Sequence, residues 1–211
     1  MSTIPREAAV LLQGVTWQQY VALRDAEQNS HVRMTFDHGS LDLMSPTRLH
    51  ERVRILISNC ILVWVEEKRI PIQSCSSTTF RREDVQCGLE PDNCYYIEHE
   101  SAVRERDEID LAIDPPPDLA IEVDVSYSSP NRMKTYAGLG IPAIWRWHSD
   151  ELRLYSLDAS RRYVEISASV ALPGFPVEQL VGIVNRRTST DETTLLREFR
   201  AACQKIPEGQ E

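Results

Sequence analysis

The stretch Asp114-Pro-Pro-Pro-Asp118-Leu-Ala-Ile-Glu122-Val-Asp124-Val125 decides how this chain is read. The three prolines set a rigid, extended entry, because each ring holds φ near about −65° and removes a backbone donor. Leu119 to Val125 is then apolar except for Glu122 and Asp124, the pattern of a central strand with two carboxylates set into it. Side chains alternate along a strand, so residues 122 and 124 share a face. Carboxylates in such a place are costly unless they are paired or bind a cation. Two on one face repel each other, and a divalent cation between them relieves the repulsion. Hard oxygen ligands suit magnesium or manganese. A solvated strand end, or pairing with Arg or Lys, accounts for the same residues without a metal.

Working outward, Ser126 to Asn131 reads as a loop and cap, and Arg132 to Leu139 as a short helix closed by Gly140, the expected C-terminal glycine. Ala143-Ile-Trp-Arg-Trp147 is a further strand, so the helix is a crossover between two strands. Leu152 to Leu157 and Tyr163 to Ile166 predict a hairpin, Pro173-Gly-Phe-Pro176 a turn, and Thr190 to Gln204 a final helix. The last residues are expected to be disordered.

Upstream, Thr16-Trp-Gln-Gln19 is a capping box for an amphipathic helix to about Glu27. His31 to Asp37 and Leu41 to Met44 flank the turn Asp37-His-Gly-Ser40 as a β-hairpin. Ser45-Pro46-Thr47 can cap the next helix. From Leu49 its apolar residues fall at Val53, Leu56, Ile57, Cys60, Ile61 and Trp64, one helical face that ends near Arg69. Glu51 falls almost opposite that face and is expected to be exposed. Ile72 to Phe80 reads as one strand, Arg81 to Leu89 as a polar loop, and Cys94 to Ile97 as a short strand. The charge-dense run Glu98 to Asp110 reads as a solvated loop or short helix.

The expected fold is therefore α/β (α+β), a mixed central sheet flanked by helices, with an N-terminal helix and β-hairpin. With 211 residues and no linker or repeat, the chain reads as one domain spanning 1–211, with its core at about 16–180. No run of about 18 apolar residues is present, and Met1 to Gln13 lacks the layout of a signal peptide, so a cytoplasmic protein is expected. Five cysteines, an odd number with no CxxC pair, fit free thiols. Cys87, Cys94 and His99 lack the spacing of a known zinc module and a fourth ligand, so the thiols read as buried or half-buried. The net charge of −9 argues against affinity driven by general phosphate neutralisation, although an acidic metal site remains compatible with it.

Several blocks together resemble a known family. Pro91-Asp92 precedes a β-prone run, and Glu122-Val-Asp124 follows thirty residues later. Phe36-Asp-His-Gly-Ser-Leu-Asp-Leu-Met-Ser-Pro46 with His50, Gly88-Leu-Glu-Pro-Asp-Asn-Cys-Tyr-Tyr-Ile97, and Tyr136-Ala-Gly-Leu-Gly-Ile-Pro142 with Trp145 complete the pattern. It is similar to the Uma (number two) family of restriction-endonuclease-like proteins, within the PD-(D/E)xK nuclease superfamily. The resemblance implies a restriction-endonuclease-like fold and a metal-dependent endonuclease. Asp92 and Glu122 would ligate magnesium or manganese, and Asp124 would be an outer or second-metal carboxylate. Nucleic acid, DNA in the first place, would be the partner, and a homodimer would cut two strands.

The chain departs from the pattern where the family motif ends in lysine, since Asp124 stands there, and Ala143 stands where the family usually has Glu. Arg132 or Lys134 on the following helix would replace the lysine. These two point about 200° apart on a helix, so one faces the site. An Arg can clamp phosphate but cannot act as a base near neutral pH. His50, at a helix start, either binds metal or phosphate or hydrogen-bonds the preceding hairpin. Trp64, Trp145 and Trp147 read as core or rim, not as a base-stacking platform. The rival function is a nuclease-derived module that binds nucleic acid or protein without turnover. A salt bridge from Arg132 across the site would point that way.

Overall fold

The computed structural model describes residues 8–125 and 132–207. The loop and cap expected at Ser126 to Asn131, and the disorder expected for the last residues, 208–211, lie outside the described residues. In chain order come strand β1 (Ala8–Gln13), helix α1 (Trp17–Asp25), strands β2 (Arg33–Asp37) and β3 (Ser40–Ser45), and helix α2 (Arg48–Lys68). Four short strands follow, β4 (Gln73–Ser74), β5 (Phe80–Arg82), β6 (Cys87–Leu89) and β7 (Asn93–Tyr96), then a single helical turn, α3 (Glu100–Val103). Strand β8 (Leu119–Asp124), helix α4 (Arg132–Leu139) and strand β9 (Ala143–His148) form the crossover. Strands β10 (Glu151–Leu157) and β11 (Tyr163–Ile166) and helices α5 (Val177–Asn185) and α6 (Glu192–Cys203) complete the chain.

The expected mixed sheet is present, with strand order β11-β10-β9-β8-β7-β4. Strands β8 and β9 are parallel and the other pairs antiparallel. On β8 the odd residues Leu119, Ile121 and Val123 pack beneath Val53, Ile57 and Trp64 of α2, together with α5 and α6. Ala120 turns to the opposite face, toward Tyr136 and Leu139 of α4, and the alternation of the strand sends Glu122 and Asp124 the same way. Trp64, Trp145 and Trp147 are all core, as expected.

A second, antiparallel sheet of order β1-β3-β2-β6-β5 packs on this structure. The sequence reading reaches only its β2–β3 hairpin, and four differences, three in this sheet and one in helix α5, separate the reading from the structure. Ala8–Gln13, considered only as part of an N-terminal stretch without a signal-peptide layout, is an edge strand paired along β3. Ile72 to Phe80 is not one strand. It breaks where Ser76 takes a left-handed φ of 48° and the Thr78 hydroxyl donates to the Cys75 carbonyl, the local side-chain bonding by which Ser and Thr compete with a sheet ladder. Its two ends join different sheets. Arg81 to Leu89 is not a loop but the β5–β6 hairpin, polar because β5 is an edge. Finally, α5 escaped notice although Leu180, Ile183 and Val184 form its buried stripe. Tyr20 of α1 seals this sheet, stacked on Phe36 at 4.9 Å between ring centres.

Thr16 caps α1 with both halves of the capping box in place. Thr47 caps α2 by accepting from the His50 amide at 3.3 Å. Glu51, expected to be exposed, is half-buried because it folds back onto Arg54 on its own helix. No helix among the described residues is long and apolar enough to cross a membrane.

Candidate active site

The register of β7 on β8 places Asn93 opposite Ile121, so the next pair brings Asp92 opposite Glu122. Asp92 is fully buried. Its Oδ2 accepts the Val123 amide at 2.7 Å and lies 3.1 Å from Nε2 of His50. Its Oδ1 is buried without a hydrogen-bond partner. Burial pushes the Asp92 carboxyl upward, but the His50 ring and the Arg132 charge outweigh it and leave it below the usual carboxylate value. The first turn of α2 thus delivers His50 to Asp92 at the acidic end of the strand pair.

Glu122 is buried and held at two points by Arg132. The Arg132 Nε pairs with Oε1, and Nη2 donates to Oε2 at 2.7 Å. Tyr136, one turn further along α4, donates its hydroxyl to the same Oε2 at 2.6 Å. Arg132 also reaches the Thr35 hydroxyl and the Glu90 carbonyl, each at 2.8 Å. Burial, with the charges of Asp92 and Asp124, raises the Glu122 carboxyl to about 7 against the opposing pull of Arg132. Glu122 and its neighbours in turn raise the Arg132 guanidinium despite its burial.

Asp124 shares the face of Glu122 but has its own partner. Arg146 of β9 donates to its Oδ2 at 2.5 Å. Burial still raises this carboxyl above its usual value. Lys134 projects from the exposed side of α4, so of the two basic residues offset by about 200° on this helix, Arg132 is the one that faces the carboxylates. Asp42 and Thr35, opposite each other on β3 and β2, form the far wall of a crevice with Glu122, Asp124 and Arg132. Its volume is about 10 Å³, room for a single water or ion. A phosphate would have to approach from its mouth.

The structure therefore brings together Asp92, Glu122, Asp124, Arg132 and His50, and leaves Lys134 outside. The sequence reading missed Tyr136, Thr35, Asp42 and Glu90. Tyr136 was detectable, since it lies four residues after Arg132 on one helix. Glu90 accepts from Arg24, the Thr79 hydroxyl and the Met34 amide, tying α1, β2 and the loop before β5 to the Asp92 turn. His99 pairs with Asp118 at 2.6 Å and not with any cysteine. Asp118 also accepts the Ile97 and His99 amides and so fixes the turn between them.

A family model described as "Uma2: Putative restriction endonuclease" matches residues 17–184. The chain belongs to this family. The Uma2 match covers every residue of the site, from His50 to Arg146, and both sheets except β1. A crystal structure described as a "putative nuclease belonging to DUF820", from Anabaena variabilis, aligns with a TM-score of 0.52 and 17% identity. The alignment covers 88% of this chain and 99% of that one. At that identity the likeness speaks for the fold, a mixed α+β nuclease fold. No curated protein matches the chain.

Proposed function

We propose that this Uma2 member is a divalent-metal-dependent endonuclease acting on DNA, as a homodimer in the cytoplasm, with Asp92 and Glu122 as the metal ligands. The observation that carries the reading is the Asp92 Oδ1, a carboxylate oxygen buried with no partner beside a second buried carboxylate on the neighbouring strand. An unsatisfied charged acceptor is costly in a packed interior, and a hard cation is the ligand that removes the cost. The all-oxygen donor set suits magnesium or manganese. Such an ion, when bound, polarises the phosphodiester and lowers the pKa of an attacking water. Glu122 is free to join it only when Arg132 lets go. Arg132 would then turn its planar fork to phosphate, the recognition that guanidinium geometry favours. His50 favours the ionised form of Asp92, and Asp124 lines the same crevice as an outer carboxylate. No lysine among the described residues faces the carboxylates, so the proton of the attacking water would leave to solvent or to a phosphate oxygen.

A second reading rests on the ion pair itself. With Arg132 across Glu122 and Asp124 in place of the motif lysine, the chain would bind nucleic acid or protein without turnover. Calorimetry with magnesium and manganese, on wild type and Glu122→Gln, separates the two. Saturable binding lost in the variant, followed by cleavage of DNA that Asp92→Ala abolishes, is the expected result. Cleavage retained by Asp92→Ala sinks the nuclease assignment to this site. No metal binding in either protein leaves the binding module.

A further inference from the structure

Outside the carboxylate site, Asp37, His38 and Cys87 each offer one ligand atom, and the three atoms lie within 4.8 Å of one another. They come from two strands. Asp37 and Cys87 are directly opposed in the β2–β6 ladder, and His38 begins the turn into β3. His38 Nδ1 lies 2.7 Å from Asp37 Oδ1, and the Cys87 thiol lies 3.9 Å from the same oxygen.

We propose that these three residues form a site for a borderline-soft divalent cation of the zinc type, with its fourth position open to solvent. The proposal is independent of the nuclease reading. Sulfur, imidazole and carboxylate together select zinc over magnesium. Bonds of about 2.0–2.3 Å in a tetrahedron set neighbouring ligand atoms roughly 3.3–3.8 Å apart. The observed spacings bracket that range, so an ångström or less of side-chain movement suffices. The backbone is already committed. His38 holds a left-handed φ of 48°, and its amide donates to the Gln86 carbonyl at 3.0 Å. Each of the three ligands therefore sits on, or is tied to, the β2–β6 ladder.

The thiol has a fitted environment. Gly138 of α4 packs against it, and a Cβ at that position would come within 2.8 Å of the Cys87 sulfur. On the other side the His38 ring is 70% exposed, which leaves a route for the ion and a place for a water ligand. Binding displaces the thiol proton to solvent, leaves the neutral His38 ring with its proton on Nε2 so that Nδ1 is a free ligand, and replaces the His38–Asp37 contact with two metal bonds. No redox step is involved. The ion would pin the β2–β3 turn to β6 and to the Gly138 end of α4, the helix that carries Arg132 at its other end.

Cobalt(II) titration of the chelator-stripped full chain tests the site, because a thiolate ligand gives a sulfur-to-cobalt charge-transfer band. A band at one equivalent, displaced by zinc, is expected for wild type and for Glu122→Gln. It should vanish in Cys87→Ser. In His38→Ala, an exposed change that leaves the fold intact, zinc affinity should fall at least about tenfold, the loss that even outer-shell changes cause. No band in wild type overturns the proposal. A band that persists in Cys87→Ser, or an unchanged zinc affinity in His38→Ala, overturns it equally by assigning the metal elsewhere.

Discussion

Arg132 and Glu122 make a two-point ion pair in the interior, and both oxygens of the glutamate are engaged by α4. A buried charge that loses its partner is costly, about 3–5 kcal/mol. Arg132→Gln should therefore lower the unfolding free energy measured in urea by that order. It should also free Glu122 for a cation. Magnesium should bind Arg132→Gln at least tenfold more tightly than wild type, read by calorimetry. Equal affinities would show that the guanidinium does not compete with metal.

His50 and Asp92 are expected to be coupled. His50→Ala leaves Asp92 buried with the Val123 amide as its close donor among the described residues and should cost about 1–3 kcal/mol, more if the carboxylate stays charged. Asp92→Asn removes the charge that His50 compensates. The double variant should then be less destabilised than the sum of the two single variants, by at least about 1 kcal/mol. Strict additivity in urea unfolding would mean that the 3.1 Å approach carries no energy.

The pH dependence of stability follows from Glu122. Its folded value is raised from 4.5 to about 7 by burial. An acid raised in this way keeps its proton in the folded state after the unfolded chain has lost it. From about pH 4.5 to 7 the unfolded chain binds fewer protons, so stability falls as pH rises, and the loss levels off above 7. A shift of this size corresponds to roughly 3 kcal/mol. Glu122→Gln cannot titrate and should lose none of it. Urea midpoints at pH 5 and pH 8 should therefore diverge between the two proteins, with wild type losing ground at pH 8. A difference that stays constant with pH would mean that Arg132 keeps Glu122 ionised throughout.

How much of this was legible follows from where the signals lie. Glu122 and Asp124 stood out because charges interrupt an apolar strand, and the period of two placed them on one face. The 200° offset between residues 132 and 134 selected a single cation. The six-stranded sheet was readable because its central strands are long and apolar. The five-stranded sheet was not, because β5 and β6 are three residues each and too short for a period to show. Thr35 meets Arg132 from a helix 97 residues away, and Cys87 meets Asp37 through the β2–β6 ladder, contacts that no local spacing encodes. In sequence the neighbours of Cys87 are Cys94 and His99, whereas its ladder partner is Asp37, fifty residues earlier.

Gly88 tests whether the second sheet is held by α1 as tightly as its packing implies. The glycine lies on β6 opposite Phe36, and a Cβ there would fall 2.4 Å from the Tyr20 hydroxyl and 2.8 Å from two ring carbons. Tyr20 is fully buried and stacked on Phe36, so the ring cannot swing aside and α1 must move as a whole. Gly88→Ala should cost at least about 1–3 kcal/mol, the usual penalty for overpacking. The Tyr20 hydroxyl is buried without a hydrogen-bond partner, so Tyr20→Phe alone should be neutral or slightly stabilising. In the Gly88→Ala background the same change removes the closest clash but leaves the ring-carbon contacts. Tyr20→Phe should then recover part of the loss, not all of it. Urea midpoints of the four proteins measure the coupling. A Gly88→Ala protein as stable as wild type would mean that α1 rides loosely on the sheet, and that Glu90, which Arg24 of α1 holds at 2.8 Å, does not depend on α1 for its place beside Asp92.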